Sequence, residues 1–183
     1  MAAEQFDDFD SFPNLVTMFF ARAHHRGDAP FLWAKHDGDW HSISWSDVAR
    51  QVAGFAKSLR QLGLQKGDRV MLVSENRPEW CIADLGIMAA GCVTVPTYVT
   101  NTERDHQHIL DNSDARAVIV STAKLAKTLT PAALRSSQAE FIIAIEPQPA
   151  MQQGQLSVHL WSDMVKGTDA DVRASEAAMA SVT

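Results

Sequence analysis

The sequence predicts an α/β fold: a mainly parallel β-sheet flanked by helices, with a peripheral β-hairpin near the start of the chain. Three observations carry this expectation. Short apolar runs with turn formers beside them recur at Val70–Val73, Cys92–Val95, Ala117–Ser121 and Phe141–Ile145, and such near-continuous apolar character marks strands covered on both faces. The stretches between these runs carry helical periodicity with caps and stops. Finally, Gly67–Tyr98, GDRVMLVSENRPEWCIADLGIMAAGCVTVPTY, reads as strand, helix and strand with short joints, a βαβ unit whose strands are parallel and whose crossover is right-handed.

Taken in order, Met1–Pro13 is an acidic lead dotted with Phe6, Phe9 and Phe12. Asn14 caps a helix running to about Arg26, where Gly27 ends it, with Leu15, Met18, Phe19 and Ala23 as its apolar face. Phe31–His36, Asp37-Gly38 and Asp39–Ile43 read as a hairpin with a tight turn. Ser44-Trp45-Ser46-Asp47 resembles a capping box, and behind it Val48, Val52, Phe55, Leu59 and Leu62 form a one-sided stripe, so this helix is expected to lie flat on the sheet. Gly63 stops it.

In the central unit, Pro78 suits the first turn of a helix. That helix runs over Glu79–Ala90 with Cys81, Leu85 and Met88 on one stripe and Ala83, Ile87 and Ala90 on the next. An all-round apolar surface predicts a helix wrapped by protein. Gly91 closes it, and Pro96 stops the following strand. Thr100–Asp105 holds two overlapping capping possibilities for a helix reaching about Asp111. After the Ala117–Ser121 strand comes a helical segment near Thr122–Thr130, interrupted by Pro131, and another near Ala132–Ser136. Glu146–Gln155 is polar and punctuated, hence a surface loop. Val158–Trp161 is a short edge strand, Ser162–Val165 a helical turn, and the stretch past Gly167 has helix formers but little apolar face. The expected division is 14–165 as an α/β body and 166–183 as a truncated connection.

With 183 residues, 46% of them hydrophobic, the chain can bury the core of one domain. A formal charge of −6 with interspersed acids leaves no basic stripe to displace counterions from phosphates, so no nucleic-acid partner is expected. Cys81 and Cys92, with no CxxC spacing, read as buried free thiols in a reducing compartment. The opening residues are acidic and lack the form of a signal peptide. The uncharged run Leu85–Thr102 is broken by Gly86, Gly91 and Pro96, so no transmembrane segment is expected. Together these predict a cytoplasmic protein.

No convergent reactive set stands out. His24-His25 diverge on a helix, as do His106 and His108, and zinc needs three or four ligands together. Both pairs read as surface or boundary histidines, and no catalytic, cofactor-binding or metal residue is assigned. The polar stretch Ser74-Glu75-Asn76-Arg77 leaves the C-terminal end of a parallel strand, where open α/β sheets place ligands, and Pro96–Thr100 leaves the next one. Ser74, Asn76, Arg77, Tyr98 and Thr100 are therefore the candidates for supporting a ligand cleft from behind. Turn formation and capping explain Asn76, Pro96 and Thr100 without a ligand, and Ser74 has no local histidine to activate it.

Five segments together carry a resemblance: SWSDVARQVAGFAKSLRQLG at Ser44–Gly63, LQKGDRV at Leu64–Val70, SENRPEW at Ser74–Trp80, AAGCVTVPTYVT at Ala89–Thr100 and HILDNSDARAVIVS at His108–Ser121. The sequence resembles the N-terminal portion of the AMP-forming acyl-CoA synthetases, adenylate-forming enzymes that include long-chain fatty acid-CoA ligases. The resemblance implies the N-terminal subdomain of the adenylate-forming fold. It implies a parent enzyme that joins a fatty or other carboxylic acid to coenzyme A through an acyl-adenylate, using ATP and Mg²⁺. The family's phosphate loop and later motifs have no counterpart here, so the resemblance implies a fragment with no cofactor bound and no activity alone. Its partner would be the remainder of the synthetase, with self-association and a peripheral membrane location open for the parent. The alternative from another class is a non-enzymatic binding or assembly module on the same scaffold; a complete small α/β enzyme using the Ser74–Arg77 edge is a third.

Overall fold

The computed structural model describes residues 9–147 and 156–180. The first part of the acidic lead and most of the loop read over 146–155 lie outside them. A 3₁₀ turn, Phe9–Ser11, precedes helix α1 (Leu15–Arg26). Asn14 caps α1, its Oδ1 accepting from the Thr17 N–H at 2.8 Å. Gly27 leaves it with φ +53° and donates its N–H to the Ala23 carbonyl at 2.9 Å. The buried face is Val16, Phe19, Phe20 and Ala23, while Leu15 is exposed. Leu15 and Met18 were expected in the places that Val16 and Phe20 hold. The face is turned because α1 packs against three other helices instead of a flat layer.

Strands β1 (Pro30–His36) and β2 (Asp39–Ser44) form the expected hairpin. Asp37 and Gly38 at its tip both take positive φ, the geometry that matches the twist of a two-residue hairpin. Helix α2 (Trp45–Gln61) follows at once. Ser44 Oγ accepts from the Asp47 backbone N–H at 3.1 Å, the N-cap bond, and donates to the Asp47 carboxylate at 2.7 Å.

The main sheet has the order β4-β3-β5-β6-β7, all parallel: β3 (Arg69–Val73), β4 (Val93–Pro96), β5 (Ala117–Val120), β6 (Phe141–Ala144) and β7 (Ser157–Leu160). Alternation along the strands divides the core. Val70, Leu72, Ala117, Ile119 and Ile143 join one cluster with α1, α2 and helix α3 (Pro78–Ala89). Met71, Val73, Val118, Val120 and Ile142 join another with helices α4 (Glu103–Ser113) and α5 (Ala123–Arg135).

Helix α2 is buried on more than its stripe, since Ala49, Ala53, Gly54 and Ala56 are also covered. It lies beside α3 with α1 and α7 (Asp169–Ala180) against it, and its stripe shares one buried cluster with the sheet residues Val70, Leu72, Ala117, Ile119 and Ile143, as expected of a helix on the sheet. Helix α3 buries Ile82, Ala83 and Ile87 completely, but Trp80, Cys81, Leu85 and Met88 are only half-buried. It is therefore not wrapped all round. Strand β4 stands at the sheet edge with Val93 exposed, where a strand covered on both faces was expected. An apolar run of four residues looks the same on an edge as in the centre.

Pro131 does not interrupt α5, which runs unbroken through it. The proline forfeits one ladder hydrogen bond, but Leu129, Ala132 and Ala133 on either side of it bury into one cluster and hold the helix together. The turn α6 (Trp161–Met164) leads to α7, which docks on the body instead of trailing from it. Asn14 Nδ2 donates to the Met179 carbonyl at 3.1 Å, Lys57 pairs with Asp171 at 3.0 Å, and Met179 is buried. Val172 and Met179 reach the core cluster and the polar contacts add to them; two apolar residues make a face too weak to signal docking in the sequence.

Candidate functional site at the C-terminal edge of the sheet

The chain leaves β3 for β4 on one side, then returns past β3 to β5 on the other. Helix α3 lies on one face and α5 on the opposite face, so the segments leaving β3 and β5 part at their C-terminal ends. Open α/β sheets hold ligands at such a switch point. The sequence pointed to the ends of β3 and β4; the topology puts the reversal between β3 and β5.

Two hollows open here. One, of about 860 Å³, lies between the hairpin and the start of α3 and includes His36, Trp40 and His41 on one wall and Arg77, Glu79 and Cys81 on the other. The second, of about 520 Å³, is lined by Ser74, Glu75, Asn76, Trp80, Pro96, Thr97, Tyr98 and Val99. Glu75, Asn76 and Trp80 belong to both and form the partition between them.

Ser74 is buried, and its Oγ donates to the Glu75 carbonyl at 2.9 Å. Nothing in that arrangement activates it as a nucleophile. Asn76 is exposed on the partition. Arg77 takes an extended φ of −152° ahead of Pro78, which opens α3 without a side-chain cap. Its guanidinium meets the Glu79 carboxylate at 2.8 and 3.1 Å and Glu146, beyond β6, at 2.8 Å. Bonding to Glu79, opposed by burial and reinforced by Glu146, holds the Arg77 proton more tightly than usual. Burial pushes the Glu79 carboxyl up, but Arg77 and the helix backbone outweigh it and leave Glu79 below the usual range.

Tyr98 is 80% exposed and lies on the wall of the second hollow instead of behind it. Thr100 is exposed and lines neither hollow. It does not cap the next helix either: Thr102 does, in a capping box with Asp105. Thr97 donates its N–H to the Leu72 carbonyl at 3.0 Å, and its buried Oγ1 has no hydrogen-bond partner.

The sequence reading missed the pairing of Glu75 with Ser121. Ser121, at the end of β5, is fully buried, and its Oγ–H donates to Glu75 Oε2. Burial raises the Glu75 carboxyl, but that bond, its own backbone N–H, Arg77 and Lys124 more than offset it, so it sits below its ordinary value. The residues lie 46 positions apart, so no local pattern could reveal the bond. His106 also departs from expectation. Expected at the surface or a boundary, it is completely buried on α4, both ring nitrogens lack partners, and burial lowers its pKa.

The two cysteines are free, and burial pushes the Cys92 thiol up to about 11 and the Cys81 thiol upward, away from thiolate chemistry. Among the described residues, no three His, Cys, Asp or Glu side chains are grouped to hold a metal ion. None of the helices there is long and apolar enough to cross a membrane. This edge can orient and contact a ligand through hydroxyl, amide and charged groups beside aromatic walls.

Known proteins resemble this chain in sequence or in fold. The long-chain-fatty-acid–CoA ligase FadD15 of Mycobacterium tuberculosis is 36% identical over 111 residues, covering 60% of this chain and 18% of the ligase. The long-chain-fatty-acid–CoA ligase ACSBG2 of Xenopus laevis is 32% identical over 98 residues, covering 54% of this chain and 13% of that protein. Among solved structures, a benzoate CoA ligase from Burkholderia xenovorans superposes with a TM-score of 0.67 at 25% identity, over 84% of this chain and 28% of the ligase. The adenylation domain of a carboxylate reductase from Mycobacterium chelonae shares the fold, with a TM-score of 0.70 at 13% identity over 90% of this chain and 30% of that one. The chain thus spans less than a third of the length of each of these proteins. The family model for AMP-binding enzymes matches residues 19–180, from within α1 to the end of α7. With the parallel sheet and the SENRPEW segment at its C-terminal edge, that match shows that the chain belongs to the AMP-binding enzyme family.

Proposed function

We propose that the protein carrying this chain is an AMP-forming fatty acid-CoA ligase, converting a carboxylic acid, ATP and coenzyme A into acyl-CoA, AMP and pyrophosphate through an acyl-adenylate. The observation that carries the reading is the family match over residues 19–180, together with relatives named as long-chain-fatty-acid–CoA ligases. Within that enzyme the C-terminal edge of the sheet faces the acyl or nucleotide cleft: Ser74, Asn76 and Arg77 support it, Tyr98 lines it, and Thr100 stands at its margin. Mg²⁺ would assist ATP in the whole enzyme, and this segment would contribute orientation and packing. Residues 14–165 would be part of the AMP-binding domain. The two free thiols favour a cytoplasmic location, with peripheral membrane contact in the parent.

Adenylation is accelerated mainly by donors placed around the phosphates, and the sequence carries no Gly-rich phosphate loop between a strand and a helix. On this reading the 1–183 chain alone releases no pyrophosphate. Pyrophosphate release from ATP with a panel of fatty acids tests both parts. Release by the whole protein, dependent on acid and absent from chain 1–183, supports the reading; turnover by chain 1–183 contradicts the second part.

A second reading, an assembly module on the same scaffold, draws on Trp33, Trp40 and Tyr98, which are 53, 65 and 80% exposed. Exposed aromatic side chains mark a contact surface where they lie together, and Trp33 and Trp40 both line the hollow beside the hairpin. Light scattering of chain 1–183 across a concentration series discriminates: a strictly monomeric chain removes this reading.

A further inference from the structure

The partition between the two hollows is fixed from below, and the fixing point is not on the segment that forms it. Glu75 is an exposed residue, yet its carboxylate accepts from Ser121, which is fully buried at the end of β5. Lys124, in the first turn of α5, and Arg77 lie close enough to favour the ionised carboxylate. The bond spans the switch point, tying the segment after β3 to the segment after β5, where the helices depart to opposite faces. Asn76 and Trp80, the other residues of the partition, follow Glu75 into α3.

We propose that Glu75 is a positioning residue: anchored by Ser121, it sets the partition and so the width of both hollows for whatever part of the substrates enters them. This rests on the ligase reading for its kinetic consequence, but not for its structural one. A carboxylate here acts through geometry, since it is bonded to a buried hydroxyl and kept ionised by that bond, its own backbone N–H and the fields of Arg77 and Lys124. Without the anchor the segment after β3 gains freedom at its ligand-facing end, and ordering it on binding costs affinity before it costs chemistry.

The test uses the whole protein with Ser121→Ala, Glu75→Ala, Glu75→Gln and the double alanine variant. KM for the carboxylic acid, ATP and coenzyme A, kcat and Tm are measured for each. Amide exchange is followed over 74–80 and 118–125. The expected result is that each single alanine variant raises at least one KM about five-fold, with kcat changed less than about two-fold and Tm nearly unchanged. Glu75→Gln, whose amide oxygen still accepts from Ser121, restores KM. The double variant is no worse than the worse single one, because the two residues act as a unit. Each alanine variant also speeds exchange in the segment of the other residue. Unchanged KM values, effects that add in the double variant, or losses that only follow Tm overturn the proposal. Should the whole protein form no thioester, the ligase reading falls, and exchange alone decides the anchor: unaltered exchange across the switch point refutes it.

Discussion

Gly54 of α2 and Gly167, just before α7, approach so closely that a Cβ on Gly54 would stand 2.6 Å from the Gly167 nitrogen and 2.7 Å from the Lys166 carbonyl carbon. A Cβ on Gly167 would collide with the Arg50 carbonyl oxygen. These obstacles are backbone atoms, which cannot swing aside as a side chain can. The contact lets the chain cross α2 and deliver α7 to the surface formed by α1 and α2. Gly54→Ala is expected to cost about 1–3 kcal/mol, as overpacking of a tight contact does, and to speed amide exchange over 169–180. A Tm equal to that of the unchanged protein would show that α7 docks without this approach.

The half-exposed face of α3 separates two substitutions of the same chemistry. Ile87 is fully buried in the cluster beneath the sheet, whereas Leu85 only packs against its margin. Ile87→Asp strands a carboxylate without a partner and should cost several kcal/mol. Leu85→Asp can reach water and should cost clearly less. Chemical denaturation of the two variants decides; equal losses would mean that the Leu85 face is covered in solution.

Buried His106 predicts an acid-sensitive slope. Burial lowers its pKa from the ordinary 6.5, so the unfolded chain takes up a proton before the folded one does. Stability therefore falls as pH drops below 6.5 and continues to fall through the lower folded value. His106→Leu should flatten this part of the stability profile and, by removing a buried polar group with no partner, hold or raise stability at neutral pH by about 1 kcal/mol. Denaturation midpoints between pH 5 and 7 check it, roughly the range in which an unperturbed histidine titrates. An unchanged slope in the variant would place the proton uptake elsewhere.

The strands and most helices could be read from the sequence because their signals are local. Val70–Val73 and Ala117–Val120 are covered on both faces and say so in every residue. Asp37-Gly38 carries the hairpin turn in its own backbone preferences. Features that depend on distant residues were hidden. Val93-Thr94-Val95 reads as buried, and only the strand order makes it an edge. Helix α7 is held by Asn14 and Lys57 from far upstream. At the candidate site the Ser74–Arg77 segment was legible from its place after an apolar strand, while its anchor Ser121 belongs to another strand and needed the topology to appear beside it.

The most direct test of the ligase assignment is product analysis of the whole protein incubated with ATP, Mg²⁺, coenzyme A and a fatty acid. AMP, pyrophosphate and acyl-CoA formed in equal amounts, with AMP formation dependent on the acid, is the predicted result. Formation of ADP in place of AMP, or no thioester with any carboxylic acid offered, would contradict it.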